Sequence, residues 1–428
     1  MNQGKAAYRT IGAVVIGNAL DWYDFTLYGY FVLIIGRLFF PAESAWVSLL
    51  SALAVFGAAF VIRPFGGILL AQMADVWGRA QVLVLVIGLM TIGTAMMAFT
   101  PTYATIGFAA PFMIVVSRLL QGFSAGGEFA SATAFLVEYA PPDRRGLYGS
   151  WQFAGQGFAI TLSGIAGSLT AYALGAERFE DWGWRVPFIF GLVIGPVGFY
   201  LRRRLVETSA SDRRDREHAS LLAPLAEAVA SYKAQMLVGL GLVIGGSAAL
   251  YVLFVFMPTY AVRVLGLDFA AALVAPVAAG VTLAIFCPLM GAMSDRFGRK
   301  PALIVSTAGL LFAPYPCLIW LHQQPGMVPL AVIEIAFGLV FSIGGGPFNA
   351  ALAEMFPARL RATGMAIAYN LGVALFGGFA PLTVAWLVER TQDPLAPSYY
   401  VAACMSVALI AAVALPVGRK SGAIEEAR

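Results

Sequence analysis

The chain has 428 residues, of which 60% are hydrophobic and 12% are charged, with a mean hydropathy of +0.80 and a net charge of +4. Soluble domains carry about 25% charged residues and cannot hide so much apolar surface, which excludes a soluble enzyme, a disordered chain and a nucleic-acid binder. The three cysteines lie far apart and there are two histidines, so neither a disulfide framework nor a metal site is expected. The composition indicates a polytopic membrane protein without a cofactor.

Twelve segments are long and apolar enough to cross a bilayer, which takes roughly 20 residues per helix. We number them spans one to twelve; they cover 11–37, 46–72, 82–100, 106–130, 147–173, 184–204, 235–262, 270–292, 301–321, 327–353, 360–386 and 397–418. Span one is not a cleavable signal peptide, because Asp21 and Asp24 lie at its centre. The predicted fold class is an all-α membrane protein with twelve transmembrane helices.

The distribution of lysine and arginine predicts the orientation of these spans. Twenty of the 27 basic residues fall on the side that carries both termini and five on the opposite side, while Arg63 and Arg118 lie inside spans. Because loops rich in lysine and arginine stay in the cytoplasm, both termini are predicted to be cytoplasmic. The expected location is the inner membrane of a bacterium.

The longest polar stretch, 205–234, divides the spans into six and six. The sequence therefore predicts an N-terminal bundle at 1–204, a cytoplasmic central loop at 205–234 and a C-terminal bundle at 235–428. The second half of the loop, 221–232, fits either a solvated linker or a surface helix, and we favour the linker.

Two patterns recur at nearly the same offset in the two halves. Asp75 and Arg79 follow span two as Asp295 and Arg299 follow span eight, 220 residues later. The pairs Glu138 with Arg145 and Glu354 with Arg361 follow spans four and ten, 216 residues apart. Such duplication is typical of secondary transporters and predicts two pseudo-symmetric six-helix bundles.

Residues 291–300, Gly-Ala-Met-Ser-Asp-Arg-Phe-Gly-Arg-Lys, resemble the G-x-x-x-D-R-x-G-R-K signature of the major facilitator superfamily at every specified position. The first copy departs from this signature at Ala71, Val76 and Ala80. Further likeness to the metabolite:proton symporter branch lies in 17–25, 63–67, 118–128 and 182–188, and likeness to citrate and tricarballylate carriers lies in 39–44 and 376–381. The resemblance implies the major facilitator fold, alternating access and a working monomer. The branch also includes carriers of α-ketoglutarate, shikimate, proline and betaine.

Ionisable side chains inside a bilayer are costly and are therefore functional candidates. Asp21 and Asp24 share a face of span one, and Arg118 and Gln121 share a face of span four at similar depth. The resemblance extends to proton-coupled sugar porters, and there it marks Asp24 and Arg118 as the coupling pair. A substrate anion that takes Arg118 would release Asp24 to bind a proton. The alternative is a static ion pair that locks helix packing, and Asp21 either tunes Asp24 or faces water.

Arg63 in span two fits either a bidentate contact to a substrate carboxylate or a structural role, and the structural role is slightly favoured. Glu128 and Glu334 are expected to be rim or packing residues. Polar and aromatic side chains of the central spans are expected to line a substrate cavity, with interhelical hydrogen bonding as the alternative for each: Trp151, Gln152, Gln156, Tyr251, Asn349, Tyr369 and Asn370. The run Gly344-Gly345-Gly346-Pro347 predicts a break in span ten.

The charged residues of the cytoplasmic loops predict a gate that opens and closes with the two bundles. Its members are Asp75, Arg79, Glu138, Arg145, Asp295, Arg296, Arg299, Glu354 and Arg361. The aspartates are expected to interact with the dipole of the helix that follows them and with Arg145 or Arg361. The simpler alternative is that these charges only fix the topology.

Together these features predict proton-coupled uptake of a di- or tricarboxylate or related organic acid. The partners are then a small organic anion, protons and the lipid bilayer, and no nucleic acid. The chain has no G-x-x-x-x-G-K-[ST] loop for ATP hydrolysis and no recognisable catalytic set, so it is not expected to be an enzyme. The alternatives are a proton-coupled proline or betaine carrier and a membrane sensor that has lost transport.

Overall fold

A computed structural model describes residues 2–77, 79–126, 128–192, 227, 230–358 and 360–416, and these residues form helices and short connections without a strand. The helices of spans one to five are Asn2–Tyr30 with Val32–Phe39, Ala45–Val61 with Arg63–Trp77, Arg79–Phe99, Ala109–Ser124 with Glu128–Tyr139, and Arg145–Leu174. Span six begins in the helix 185–192. Spans seven to twelve are Lys233–Ala249 with Met257–Arg263, Val274–Phe297, Arg299–Phe312 with Pro314–Gln323, Met327–Glu354, Arg361–Gly372 with Ala380–Thr391, and Ala396–Ala414.

Short helices connect several spans, and the described part of the chain contains three π-helices. The short helices are Tyr103–Ile106, Ala176–Arg178 and Phe269–Ala272. The π-helices are Phe179–Gly183, Leu250–Val255 in span seven and Val373–Gly378 in span eleven. A π-helix widens the turn locally and often marks a functional site.

Spans two, five and seven to twelve each combine the length and hydropathy of a membrane-crossing helix. Span one is less apolar because polar residues such as Asn18, Asp21 and Asp24 interrupt it. The described residues of span four form two shorter helices, Ala109–Ser124 and Glu128–Tyr139. The predicted central loop lies outside the described residues except at 227 and from 230 onward, so the domain boundaries remain predictions.

Span five packs along span eight, which makes this helix pair the main contact between the two halves. At its middle the two backbones touch: a Cβ on Gly157 would lie 2.7 Å from the carbonyl oxygen of Gly280. The pair is also tight at Gly146 with Gly291 near one end and at Gly164 with Val277 towards the other. We call the first the cytoplasmic end and the second the outer end, following the orientation that the charges predict. The two bundles thus touch at both ends.

The predicted break in span ten is wrong, because Met327–Glu354 is one continuous helix through Pro347. The glycines serve packing instead: a Cβ on Gly346 would lie 2.8 Å from the carbonyl oxygen of Cys287 in span eight. The irregular backbone lies in the π-helices of spans seven and eleven, where the sequence carries no proline run to mark it.

Candidate functional site

A chain of hydrogen bonds connects the two residues expected to couple proton and substrate. The Thr94 hydroxyl donates to Asp24 Oδ2, Gln121 Nε2 donates to Thr94 Oγ1 over 3.1 Å, and Arg118 Nη1 donates to Gln121 Oε1. Asp24 is 5% exposed and Arg118 is fully buried. The structure therefore brings Asp24 and Arg118 into one cluster, connected through Thr94 and Gln121 rather than by a direct ion pair.

Arg118 keeps one edge of its guanidinium free. Nε and Nη2, which lie on the same edge of the planar group, have no hydrogen-bond partner among the described residues. Its Cζ stands 4.2 Å from the ring centroid of Tyr28 and 4.9 Å from that of Phe25. The aromatic faces hold the cation in place without using its N–H groups. This free edge has the geometry that a carboxylate binds bidentately.

Arg63 lies beside Arg118 and is also buried, with 7% of its surface exposed. Its Cζ is 4.4 Å from the centroid of Phe25 and 4.1 Å from that of Phe60, and its Nε has no partner. Because both guanidiniums contact the Phe25 ring, the two positive charges lie close together. Arg63 also acts electrostatically on the phenols of Tyr251 and Tyr369 from the other bundle.

The buried part of the cluster holds more positive than negative charge. Asp24 is its one buried carboxylate among the described residues, and its Oδ1 has no hydrogen-bond partner. Asp21, half-buried one turn earlier, lies within electrostatic range of Asp24. Two buried arginines facing one buried aspartate leave a net positive potential that favours an anionic ligand.

A cavity lies next to this cluster, inside the C-terminal bundle. Spans seven, nine, ten, eleven and twelve form most of its wall, and Phe153 and Gln156 of span five close it from the N-terminal bundle. The wall is mainly apolar; its polar members are Gln156, Ser247, Tyr251, Ser306, Thr307 and Tyr369. The side-chain oxygen and nitrogen of Gln156 have no hydrogen-bond partner among the described residues, so they are available to a ligand.

Tyr251 separates the cavity from the arginines and belongs to an aromatic wall. Its ring stacks on Trp22 of span one at 5.7 Å and meets Phe60 of span two edge to face at 5.2 Å. It lies in the π-helix Leu250–Val255. The wall therefore joins both bundles at the point where the charged cluster meets the apolar cavity.

Trp151 and Gln152 of span five, which were expected to line the cavity, make other contacts. Trp151 packs against Val15 and Leu136. Gln152 and Asn18 exchange hydrogen bonds of 3.0 and 3.1 Å, which tie span five to span one. These contacts are interhelical, the alternative that the sequence left open.

Asn349 and Asn370 connect the bundles instead of lining the cavity. Asn349 Nδ2 donates to the Gly149 carbonyl over 3.0 Å, and Asn370 Nδ2 donates to the Gly126 carbonyl over 3.3 Å. Tyr369 does line the cavity, and its ring also stacks on Phe129 of span four at 3.5 Å. These bonds close the cytoplasmic half of the interface.

Residues of the predicted cytoplasmic gate meet around Asp295. Its two carboxylate oxygens accept from the backbone N–H groups of Gly146 and Leu147 over 2.8 and 2.9 Å, at the N-terminus of span five. The positive end of that helix dipole adds to the attraction. Arg299 Nη1 lies 2.7 Å from Asp295, and Arg299 Nη2 lies 3.3 Å from Glu354.

The turn between spans eight and nine depends on Gly298. Its φ of +94° lies in the region that favours glycine, and it reverses the chain within one residue between Phe297 and Arg299. The tight turn brings Arg299 back onto Asp295. The turn geometry therefore explains why the signature has glycine at this position.

A second gate bond crosses between the bundles on the same side. Arg361 Nη1 lies 3.1 Å from Glu138 Oε1, and Arg361 Nε donates to the Ala353 carbonyl over 3.0 Å. The expected pairing differs in detail: Asp295 binds the helix of the other bundle, and its cation is Arg299 rather than Arg145. The reason is the tight turn at Gly298, which places Arg299 closer. Arg145 Nε has no partner among the described residues, and Arg296 is exposed.

The side chains of Asp75 and Arg79, the first copy of the gate, lie outside the described part of the chain. Their backbones belong to the helices Arg63–Trp77 and Arg79–Phe99. Their gating role stays a prediction.

Replacing Asp295 by asparagine is expected to open the cytoplasmic side. The variant loses the charge that holds both Arg299 and the helix N-terminus, and hydrogen bonds to charged groups contribute about 1.5–3 kcal/mol. We expect an approximately tenfold or greater shift towards the inward-open state. Alkylation of a reporter cysteine at buried Ser150, in a chain whose three cysteines are replaced by alanine, measures this shift. The control is Arg296→Gln, which changes the exposed residue next to Asp295. Equal alkylation rates in the two variants would contradict the proposal that Asp295 holds the cytoplasmic side closed.

Sequence reasoning missed the residues that complete the cluster. Thr94 is one of several threonines in an apolar span, and no motif marks it as the bridge between Asp24 and Gln121. Phe25 and Phe60 read as core residues, yet both stack on arginines. Phe25 is the last residue of the segment 17–25, which carries the likeness to a symporter branch. This likeness was the one signal in the sequence that could have pointed to Phe25.

The known proteins that resemble this chain are membrane transporters. The model of the Major Facilitator Superfamily matches residues 14–381, with a second match at 278–423. A citrate-proton symporter of Klebsiella pneumoniae is 35% identical over 99% of this chain and 95% of its own length. A proline/betaine transporter of Salmonella typhimurium is 33% identical over 95% of this chain and 83% of its own length. The solved structure of the proton:xylose symporter XylE with 6-bromo-6-deoxy-D-glucose matches with a TM-score of 0.75 at 18% identity, covering 96% of this chain and 95% of that one. The predicted fold class is thereby confirmed.

Proposed function

The chain belongs to the major facilitator superfamily, and from this membership we propose that it takes up a di- or tricarboxylate together with protons by alternating access. Its relatives are transporters and not enzymes, which agrees with the expectation from the sequence. The coarse function, a proton-coupled symporter of a small solute, follows from the family and these relatives. The identity of the substrate is our proposal.

The free Nε/Nη2 edge of buried Arg118 is the observation that carries the carboxylate assignment. Arg63 beside it supplies a second buried guanidinium whose Nε is also without a partner. Two such groups match two carboxylates of one substrate, because each guanidinium edge binds one carboxylate. The body of the substrate then extends towards Tyr251 and the apolar cavity.

The hydrogen-bond chain provides a route from substrate binding to proton binding. Arg118 reaches Asp24 through Gln121 and Thr94, so a carboxylate on Arg118 draws the guanidinium's positive charge away from Asp24. A buried carboxylate that loses this electrostatic support favours its neutral form. Substrate and proton therefore bind together, which is the requirement for symport.

A proline or betaine carrier is the second candidate, and one specific observation favours it. Trp22, Phe60 and Tyr251 form an aromatic wall beside the cavity, and aromatic faces attract quaternary ammonium groups. The proline/betaine relative is nearly as similar as the citrate relative. Against it, a zwitterion uses one carboxylate and leaves the second buried arginine without a counter-charge.

Uptake into proteoliposomes with an imposed proton gradient tests the proposal. The panel contains citrate, tricarballylate, α-ketoglutarate, an aromatic monocarboxylate, proline and betaine. We expect gradient-driven accumulation of a di- or tricarboxylate and no accumulation of betaine. Accumulation of betaine or proline alone would assign the second function, and uptake that ignores the gradient would contradict symport.

A further inference from the structure

Glu334 of span ten is a fully buried carboxyl group without a partner. Its side chain is 0% exposed, and neither Oε1 nor Oε2 has a hydrogen-bond partner. It was expected to be a rim or packing residue, but it lies inside the protein, two helical turns from the outer end of Met327–Glu354. The charge cluster around Asp24 and Arg118 does not include it. An ionised carboxylate here would have lost its hydration without any compensation.

A tyrosine of the other bundle lies near Glu334. Tyr30 of span one is fully buried and within electrostatic range of the carboxyl group, and its hydroxyl lies beside Ser163 of span five. Around this pair the bundles meet through Gly164 and Gly167 of span five, which pack against Leu273, and through the rings of Phe31 and Phe269 at 5.9 Å. Glu334 is thus covered by the contact that closes the outer ends of the bundles.

No other charge of the described residues stands opposite Glu334. The helices packed against span ten carry charged groups at the cytoplasmic end, Glu138, Arg145, Lys233, Asp295, Arg296, Arg299, Lys300 and Arg361, with Glu128 in the cytoplasmic half of span four and Asp268 at the outer end. Asp268 caps the short helix Phe269–Ala272, and His322 of span nine bonds to Tyr260 over 2.7 Å. Titration at this position therefore involves the carboxyl group of Glu334 itself.

We propose that Glu334 is a proton-binding site of the outer gate, which must be protonated before the outer ends of the two bundles close. When the outer ends separate, water reaches the carboxyl group and it ionises. Closing then requires one proton from the outside, because the dry interface with Tyr30 accepts only the neutral acid. The inference rests on alternating access from the proposed function, but it does not depend on which solute is carried.

Distances between spin labels at the outer ends test this switch directly. Tyr172 of span five and Val328 of span ten are exposed and belong to opposite bundles. In a chain whose native cysteines are replaced by alanine, Tyr172→Cys and Val328→Cys are labelled and measured by pulsed electron resonance over a pH series. With Glu334 present, the ratio of open to closed molecules is expected to rise by up to about tenfold per pH unit, the limit for one proton. With Glu334→Gln, the outer side is expected to stay closed at every pH.

The control is Glu43→Gln, which removes an exposed carboxyl group of the outer loop and should keep the pH response of the parent. An equal pH response with Glu334→Gln, or no response in the parent, would overturn the proposal. Glu334→Asp retains a carboxyl group and is expected to retain a pH response, which keeps the test decisive if Glu334→Gln folds poorly. Infrared spectra add an independent readout: the closed parent at neutral pH should show a protonated carboxyl band that Glu334→Gln lacks. These readouts need no substrate, so they stand even if the uptake panel contradicts the carboxylate proposal.

Discussion

Replacing Arg118 by lysine is expected to lower the uptake efficiency, kcat/KM, by roughly 100-fold. Lysine keeps the charge but presents one point-like ammonium, so the bidentate Nε/Nη2 edge and the bond to Gln121 are lost. Two hydrogen bonds to charged groups, at about 1.5 kcal/mol each at the lower limit, amount to about 3 kcal/mol, which is about 100-fold. Since the edge contacts bound substrate, most of the loss should appear as a raised KM.

Initial rates of labelled carboxylate uptake in proteoliposomes measure this loss. Arg185→Lys is the matched control. Arg185 is half-buried, lies at the outer end of span six and donates to the Thr100 carbonyl over 3.0 Å. We expect the control to remain within about threefold of the parent, because lysine keeps the charge and Arg185 has no part in the bonds among Asp24, Thr94, Gln121 and Arg118. Wild-type KM in Arg118→Lys would show that Arg118 does not hold the substrate.

The sequence was most informative at charged residues inside apolar spans, where burying a charge costs free energy. Asp24 and Arg118 stand out because ionisable residues inside apolar spans are rare, and the structure places them in one cluster. Gln121 follows from helical spacing alone, since it lies one turn from Arg118 on the same face. The gate pairs were predictable as a set because duplication repeats them, although Asp295 pairs with Arg299 and with a helix of the opposite bundle.

The same reasoning could not find features that depend on three-dimensional packing. Thr94 becomes a bridge only because spans one, three and four meet at its depth, and no spacing rule encodes that meeting. Asn349 and Asn370 are polar residues of central spans, as cavity residues are, but they donate hydrogen bonds to backbone carbonyls of the other bundle. Depth alone left Glu334 as either a rim or a packing residue, and the structure places it in the fully buried interior.

Replacing Asp24 by asparagine is expected to separate substrate movement from the proton gradient. Asparagine resembles the neutral aspartic acid, and its side-chain oxygen can still accept from Thr94, so the cluster keeps its shape. Exchange of labelled for unlabelled substrate should remain within a few-fold of the parent. Accumulation should fall by about tenfold for each pH unit of imposed gradient, because one coupled proton contributes 1.36 kcal/mol per unit.

The ratio of internal to external substrate at steady state, with the membrane potential clamped at zero, measures this change. Asp21→Asn is the matched control, since Asp21 lies one turn away on the same face but outside the bonds among Asp24, Thr94, Gln121 and Arg118. We expect the control to accumulate substrate as the parent does. The opposite pattern, with accumulation lost in Asp21→Asn and kept in Asp24→Asn, would move the coupling site to Asp21. Loss of both exchange and accumulation in Asp24→Asn would mean that the carboxylate is needed to hold the cluster together, because a neutral isostere should support exchange if its only role is to carry the proton.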